Sequence, residues 1–430
     1  MKLKLSRMIL AGSIITMIGL SIFMWINDKE KIKIEELKGS KSALEDVNII
    51  FQNVQNSYKT TKTTISKDGI SKDNFAVTTP NRFSDAQDLI TNEDMLNYSQ
   101  GIVGTYQYDN YVGVVSVGIH YTNETSNDEK LEIVATVMEE NIETGKLTEY
   151  TIPLDTYFKN SGDNGISTNT VPIRYEDNLY IVVGVDIENY NNINTYENQI
   201  EESRIYVYKL DLENESSENI LTKSLSKDGE SAIGYNAAFA KDDTAYFVNT
   251  LYSKNDKYEV KRETQLLSFS LKTRKFETIE LGKDGESNEE EELDGLWNIF
   301  KYYLIDDKAY FIYDYIGGEK FEIREMEVDL NTKKIVNKEI AYSLEFDDSI
   351  KNTNSMSYTI ENIRCIDNKL FISIETQKDT EASWDSRPIT TSYLYIVDRN
   401  SKKTLYAVKG NIENNENSVY DGNISLSVVK

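Results

Sequence analysis

Hydrophobic positions along this 430-residue chain fall into short runs that are apolar at nearly every position, each opened by an acidic or amide pair. The pairs are Asp109-Asn110, Asp177-Asn178, Asp242-Asp243, Asp306-Asp307, Asp367-Asn368 and Asp421-Gly422, spaced by 68, 65, 64, 61 and 54 residues. Such residues tolerate positive φ, so each pair predicts a two-residue hairpin turn. The run behind it, for example Leu179–Val183, Ala245–Val248, Ala309–Tyr313 or Leu370–Ile374, is continuous instead of alternating, which predicts a strand buried on both faces. A third strand follows after a variable gap (Ile205–Leu210, Leu266–Leu271, Ile323–Leu330, Tyr393–Val397). It ends in a polar turn such as Asp329–Lys334 or Asp398–Lys403, and a short fourth strand comes next, as at Leu405–Val408.

Four antiparallel strands recurring about every 60 residues, with sheets apolar on both sides, resemble the β-propeller superfamily over residues 47 to 430. The motifs specify blade geometry and no particular family. The resemblance implies an all-β disc of six four-stranded blades, with five and seven left open by the irregular segment 70–105. The last copy, at Asp421, lacks two strands, which the N-terminal strands 47–54 and 58–65 are expected to supply. Ser66-Lys67-Asp68-Gly69 matches Ser226-Lys227-Asp228-Gly229 after a fourth strand, which assigns those N-terminal strands to third and fourth place. Pairing the two ends of the chain in this way, by strands from about 47–66 and 418–429, would leave no open sheet edge. Ser84-Asp85-Ala86-Gln87 is a capping-box pattern and predicts one short helix over 83–98.

The N-terminus changes the picture. Residues 8–26 form an uncharged stretch of 19 positions, nearly enough at ~1.5 Å per residue for a ~30 Å hydrocarbon core. Lys2, Lys4 and Arg7 precede it, and no small-residue cleavage pattern ends it, so it reads as an uncleaved signal anchor with the N-terminus in the cytoplasm. The expected organisation is a cytoplasmic tail (1–7), a transmembrane anchor (8–26), a charged stalk (27–46) and an extracytoplasmic propeller (47–430). The Lys, Asn, Ile and Glu content is similar to that of low-GC Gram-positive bacteria.

Composition then narrows the chemistry. The net charge of −25 argues against a nucleic-acid partner. Cys365 is the only cysteine and His120 the only histidine, which leaves no parts for a disulfide or a His-rich zinc site, and the lone His120, in the strand-like run Val117–Tyr121, is expected to be structural and not part of a triad. No catalytic, cofactor or metal residue is assigned and no cofactor is expected. The acidic run 286–294 lacks a calcium-loop spacing.

Alternate connections in such blades lie on opposite faces of the disc. The long segments 70–105, 186–203, 249–264, 282–297, 343–360 and 376–391 all fall on one of them. Long loops on a rigid scaffold carry binding. The expectation is a single-pass membrane protein acting as a binding or sensing module on an envelope or membrane protein, with Trp297, Trp384, Arg387, Tyr190 and Tyr196 as contacts because aromatic and Arg side chains dominate interface energies. The alternative is a cell-surface glycoside hydrolase or carbohydrate-binding propeller using paired carboxylates. Composition says nothing about oligomeric state.

Overall fold

The computed structural model of the protein describes residues 32–54, 59–77, 80–99, 104–121, 130–159, 164–189, 200–227, 231–233, 237–254, 260–283, 301–317, 320–344, 356–378, 389–412 and 423–430. Strands dominate these residues, and they form six antiparallel sheets with a propeller-like arrangement.

In chain order, β1 is Ile32–Gly39, followed by a 3-10 turn at Lys41–Leu44. Sheet 1 contains β2 (Asn48–Val54), β3 (Lys59–Ser66) and β4 (Gly69–Val77). Two helices follow, α1 (Asp85–Leu89) and α2 (Glu93–Tyr98). Sheet 2 is β5 (Gly104–Tyr108), β6 (Tyr111–Tyr121), β7 (Lys130–Asn141) and β8 (Leu147–Lys159). Sheet 3 is β9 (Asn164–Tyr175), β10 (Asn178–Asn189), β11 (Ile200–Asp211) and β12 (Ser216–Lys227). In sheet 4, β13 (Ser231–Ala232) and β14 (Ala238–Lys241) both pair with β15 (Thr244–Lys254), and β16 (Val260–Ser270) and β17 (Lys275–Lys283) complete it. Sheet 5 is β18 (Lys301–Ile305), β19 (Lys308–Gly317), β20 (Lys320–Asp329) and β21 (Lys334–Leu344). Sheet 6 is β22 (Met356–Ile366), β23 (Lys369–Lys378), β24 (Ile389–Asp398) and β25 (Thr404–Ile412), and β26 (Asn423–Val429) is the last strand.

The acidic pairs are hairpin turns. Asp109, Asp177, Asp242, Asp306 and Asp367 all have φ between 45° and 63°, and each joins the first two strands of its sheet. A second device closes the turns between third and fourth strands. Asn141, Asp211, Ser270, Asp329 and Asp398 each accept the backbone N–H three residues on, at 2.7–3.2 Å. The next residue (Gly145, Glu215, Arg274, Lys333, Lys402) then takes positive φ. The side chain stands in for a backbone acceptor, so these turns hold their shape locally.

Continuous apolar runs are used on both faces, as their pattern demands. In β10, Leu179, Ile181, Val183 and Val185 pack against sheet 2, while Val182 packs against sheet 4. In β23, Leu370, Ile372 and Ile374 face sheet 5 and Phe371 faces sheet 1. Sheets 4 and 5 share a core through Phe239, Leu281, Phe311 and Met326. The helices add a core of their own on sheet 2: Ile90, Met95 and Leu96 cover Val112 and Val114 of β6.

Four details differ from the sequence reading. First, β26 pairs with β2 from Asn423↔Val54 to Asn48↔Val429, so it holds the first position in sheet 1, and the N-terminal segment supplies the second, third and fourth strands. Residues 66–69 form the hairpin between β3 and β4; the tetrapeptide match misleads because a Lys-Asp-Gly turn serves a hairpin and a link equally well. Second, 69–77 is a strand instead of irregular chain. Third, the helix expected over 83–98 is two helices, because Ile90 leaves helical φ/ψ and Asn92 starts a new cap by accepting the Met95 N–H. Ser84 accepts the Gln87 N–H, and Gln87 accepts the Phe83 N–H at 2.7 Å. Fourth, the segment read as a stalk forms from Ile32 onward the strand β1, paired antiparallel with β25 as a fifth strand of sheet 6.

Candidate functional site

Charged groups that a sequence search would single out as chemistry mostly serve the contacts between sheets. Glu139 of β7 is 5% exposed and Glu140 is fully buried. Strand alternation sends the two carboxylates to opposite faces. Glu140 accepts the N–H groups of Thr91 and Asn92 at 3.0–3.1 Å and the Thr91 hydroxyl, and so docks the α1–α2 link onto sheet 2. Glu139 accepts the hydroxyls of Tyr106 at 2.7 Å and Tyr108 at 3.1 Å, and Arg174 of β9 in sheet 3 at 2.9 Å. The Arg174 guanidinium lies 3.9 Å from the Tyr108 ring centroid. Burial, reinforced by the Glu139 charge, pushes the Tyr106 hydroxyl up and the Tyr108 hydroxyl up to about 12, so both stay protonated donors.

A second cluster of this kind joins sheets 5 and 6. Glu325 of β20 is fully buried and accepts the hydroxyls of Tyr303 and, at 3.0 Å, Tyr342. Arg399 donates to Tyr303 at 3.1 Å and Lys402 to Tyr342 at 2.8 Å, both from the turn between β24 and β25. Burial raises the Glu325 carboxyl despite these donors, and its Oε1 has no hydrogen-bond partner among the described residues. Burial also lowers the Lys402 ammonium. Asp186, fully buried in β10, accepts the Ser203 hydroxyl at 2.5 Å and the Ile233 N–H at 2.8 Å, tying sheet 3 to the entry of sheet 4. Arg364 of β22, 5% exposed, donates to Asp85 at 2.5 Å, Asp88 at 2.7 Å and the Val428 carbonyl at 2.7 Å, joining sheet 6 to α1 and β26.

These polar groups answer one physical problem. A buried charge is tolerable only when paired and hydrogen-bonded, and such pairs fix one register between elements that apolar packing alone would let slide. Sequence reasoning found none of them; the one signal available was Arg364 within an otherwise apolar strand, Ile363-Arg364-Cys365-Ile366. Cys365 is half-buried and burial pushes its thiol up to about 11, which keeps it out of nucleophilic chemistry. The backbone of His120 pairs with Glu132 in the β6–β7 ladder.

The described residues also line two surface depressions. One, of about 600 Å³, is open and lined by Ser42, Glu45, Asp46, Lys67, Asp68 and Asp367. Glu45, Asp46 and Asp367 converge there, all exposed, with Lys369 2.6 Å from Glu45 and Lys430 3.4 Å from Asp367 balancing them. The other, of about 210 Å³, lies between sheets 3 and 4 beside Tyr175, Tyr180, Phe269, Lys272 and Arg274.

Trp297, Trp384, Arg387, Tyr190 and Tyr196 lie outside the described residues, as do the acidic run 286–294 and the apolar stretch 8–26. Among the described residues no helix is long and apolar enough to cross a membrane.

No protein-family model matches the chain, and no curated protein is similar to it at a significant level. Among solved structures it is similar to the Bombyx mori GH32 beta-fructofuranosidase BmSUC1 (11% identity, covering 95% of this chain and 96% of that one, TM-score 0.30). It is also similar to the WD40 domain of SCAP from fission yeast (12%, 94% and 76%, TM-score 0.28). A third is a mutant of Trypanosoma rangeli sialidase displaying trans-sialidase activity (11%, 72% and 53%, TM-score 0.34). Similarity this low carries nothing about activity; the propeller-like class rests on the sheets of this chain and their stacking.

Proposed function

We propose that the protein is a binding module held at the outer side of a cytoplasmic membrane by residues 8–26, with a six-bladed ring closed where β26 pairs with β2. The observation that carries this reading is the division of labour between the two faces. On one face five of the third-to-fourth strand connections are short turns closed by their own hydrogen bonds, and the 40–47 link and the helical segment docked on Glu140 lie beside them. The strand ends of the other face lead into the segments 190–199, 284–300 and 379–388, which contain Tyr190, Tyr196, Trp297, Trp384 and Arg387; of the long segments expected there, 70–105 instead carries α1 and α2 to the turn end of β7. Meanwhile the buried carboxylates Glu139, Asp186 and Glu325 are engaged between sheets, and Glu140 holds the α1–α2 link to sheet 2. A rigid body with variable loops on one side suits recognition. The partner in this reading is an envelope or membrane protein.

The test replaces segments 190–199, 284–300 and 379–388 with short turns in the full chain and measures partner capture by crosslinking in intact cells. Lost capture with an unchanged far-ultraviolet spectrum supports the reading; capture that survives all three replacements refutes it. Cleavage of a glycoside panel by the purified protein would establish the hydrolase alternative instead.

A further inference from the structure

The seam between sheets 3 and 4 repeats the backbone of the seam between sheets 5 and 6 with different side chains. Strand registers fix the correspondence. Ile305↔Lys308 and Tyr175↔Asn178 bracket the two first hairpins, so Tyr180 of β10 stands where Tyr310 stands in β19. In the next ladder Glu325 faces Ile312 and Val207 faces Val182, which puts Val207 in the place of Glu325. One ladder further, Tyr342 faces Ile323 and Lys223 faces Ile205, so Lys223 takes the place of Tyr342. From the neighbouring sheet, Asp398 accepts the Ser401 N–H and Ser270 the Thr273 N–H, and each turn continues into positive φ at Lys402 (58°) and Arg274 (55°). Leu271 thus replaces Arg399, and Arg274 replaces Lys402.

Between sheets 5 and 6 this arrangement is complete in itself. Arg399 lies 4.1 Å from the Tyr310 ring centroid, Lys402 donates to Tyr342 at 2.8 Å, and Tyr342 donates to the buried Glu325 carboxylate at 3.0 Å. Between sheets 3 and 4 the aromatic wall stays and the acid is gone. The depression of about 210 Å³ opens there, lined by Tyr175, Tyr180, Val207, Leu221 and Phe269, with exposed Lys272 and Arg274 beside them.

The charges around the depression leave positive potential without an acid to meet it. Glu176, which also lines it, hydrogen-bonds the Tyr175 hydroxyl and raises it. Asp243 accepts the Ser270 hydroxyl at 2.8 Å and the Lys272 N–H at 3.1 Å. Lys209, opposite Tyr180, has Glu218 opposite it in the next ladder. Lys223 shares a face of β12 with Leu221 and lies 4.2 Å from the Phe276 ring centroid, where burial lowers its ammonium. Among the described residues no carboxylate forms an ion pair with Lys223 or Arg274. A half-buried cation of this kind gains from an anion that enters beside it, because water screens the pair poorly there. The tyrosine faces favour a flat ring. The volume is below the ~300 Å³ at which pockets for drug-sized ligands begin, so the ring is a single one.

We propose that the seam between sheets 3 and 4 binds a small aromatic carboxylate. Its ring packs against Tyr180, Val207 and Leu221, and its carboxylate pairs with Arg274 while Lys272 and Lys223 add positive potential. The ligand supplies from outside the acid that Glu325 supplies from within between sheets 5 and 6. This site lies at the turn ends of the strands and does not depend on the loop segments 190–199, 284–300 and 379–388.

The test titrates the full chain in detergent with 4-fluorobenzoate, followed by fluorine NMR, with empty micelles as the blank. Saturable binding with a Kd of about 1 mM or tighter is expected, which a ligand of about ten non-hydrogen atoms can reach. 4-Fluorobenzamide has the same shape without the charge and should bind at least about tenfold more weakly, as should 4-fluorobenzoate to Arg274→Gln. Val207→Glu gives the seam its own carboxylate and should abolish binding; Leu271→Arg, which fills the space over Tyr180, makes the same test should that variant not fold. Lys333→Gln, at the matching turn position of sheet 5, should bind like the unaltered chain. Equal binding of the benzamide, binding unchanged in both Arg274→Gln and Leu271→Arg, or no saturation by about 10 mM overturns the site.

Discussion

Replacing Arg364 with Met should loosen one seam of the molecule selectively. The Arg364 side chain is 5% exposed and ties three elements together: β22, which carries it, α1 through Asp85 and Asp88, and β26 through the Val428 carbonyl. Met preserves most of the aliphatic stem, so the loss is electrostatic. Asp85 is 90% exposed and returns to water at little cost, but Asp88 is only 13% exposed and would keep one donor, the Lys430 N–H at 3.2 Å. Breaking a buried pair by removing one partner costs ~3–5 kcal/mol. The remaining donor and partial exposure of Asp88 put this case at the lower end, ~3 kcal/mol. Adding Asp88→Asn should recover ~1–2 kcal/mol, because the orphaned charge then disappears. Urea unfolding measures the total. Hydrogen exchange locates it: amides of Asn423–Val429 should lose protection while those of sheets 3 and 4 keep theirs. A loss under ~1 kcal/mol, or exchange in β26 unchanged, would show that pairing with β2 and the apolar core already hold the C-terminal strand without the clasp.

Other expectations follow from particular contacts. A Cβ on Gly113 would sit 2.1 Å from Cζ of Tyr106, whose hydroxyl is held by Glu139; Gly113→Ala should cost ~1–3 kcal/mol by thermal denaturation, whereas Gly118→Ala, with nothing within 4 Å, should be near neutral. Burial raises the folded-state pKa of Glu325, so its contribution is complete below the unfolded value near ~4.3 and is lost as pH rises through the folded one. Glu325→Gln should therefore remove that decline, read as urea midpoints between pH 4 and 8. The sign reverses at the turns: hydrogen bonds from Asn214, Thr332 and Ser401 lower Asp211, Asp329 and Asp398, so their contribution is present above the ordinary Asp range and is lost as pH falls through the folded values. Replacing all three by Ala should flatten the acid limb of the stability profile. With its thiol at about 11, Cys365 should alkylate at pH 7.5 some hundreds of times more slowly than a free cysteine of pKa ~8.5; comparable rates would mean that the strand around it opens.

Much of the fold is legible because its repeat is local. Asp177 before Leu179–Val183 announces a turn and a doubly buried strand within seven residues, and β10 is that strand. The turn chemistry at Asp329 and Asp398 is visible for the same reason. The places where the reading slipped depend on remote partners. Ile424–Val429 looks like any strand; that it takes first place beside β2 is set by an N-terminal segment some 370 residues away along the chain. The charged 32–39 segment resembles a spacer until the unpaired edge of β25 is there to receive it.

The sequence by itself determined the repeat, the hairpin turns and the burial of each second strand on both faces, since all of these are properties of a few consecutive residues. Only the tertiary structure decided which charges are scaffolding. Glu139 and Arg174 are 35 positions apart and Tyr303 and Arg399 are 96 apart, and each of these pairs meets because consecutive sheets stack; Asp85 and Arg364, 279 apart, meet because α1 packs against sheet 6. The same holds for the entry point of the chain. Backbone hydrogen bonding to an edge strand carries no side-chain code, so the direction of β1 exists only once sheet 6 has formed.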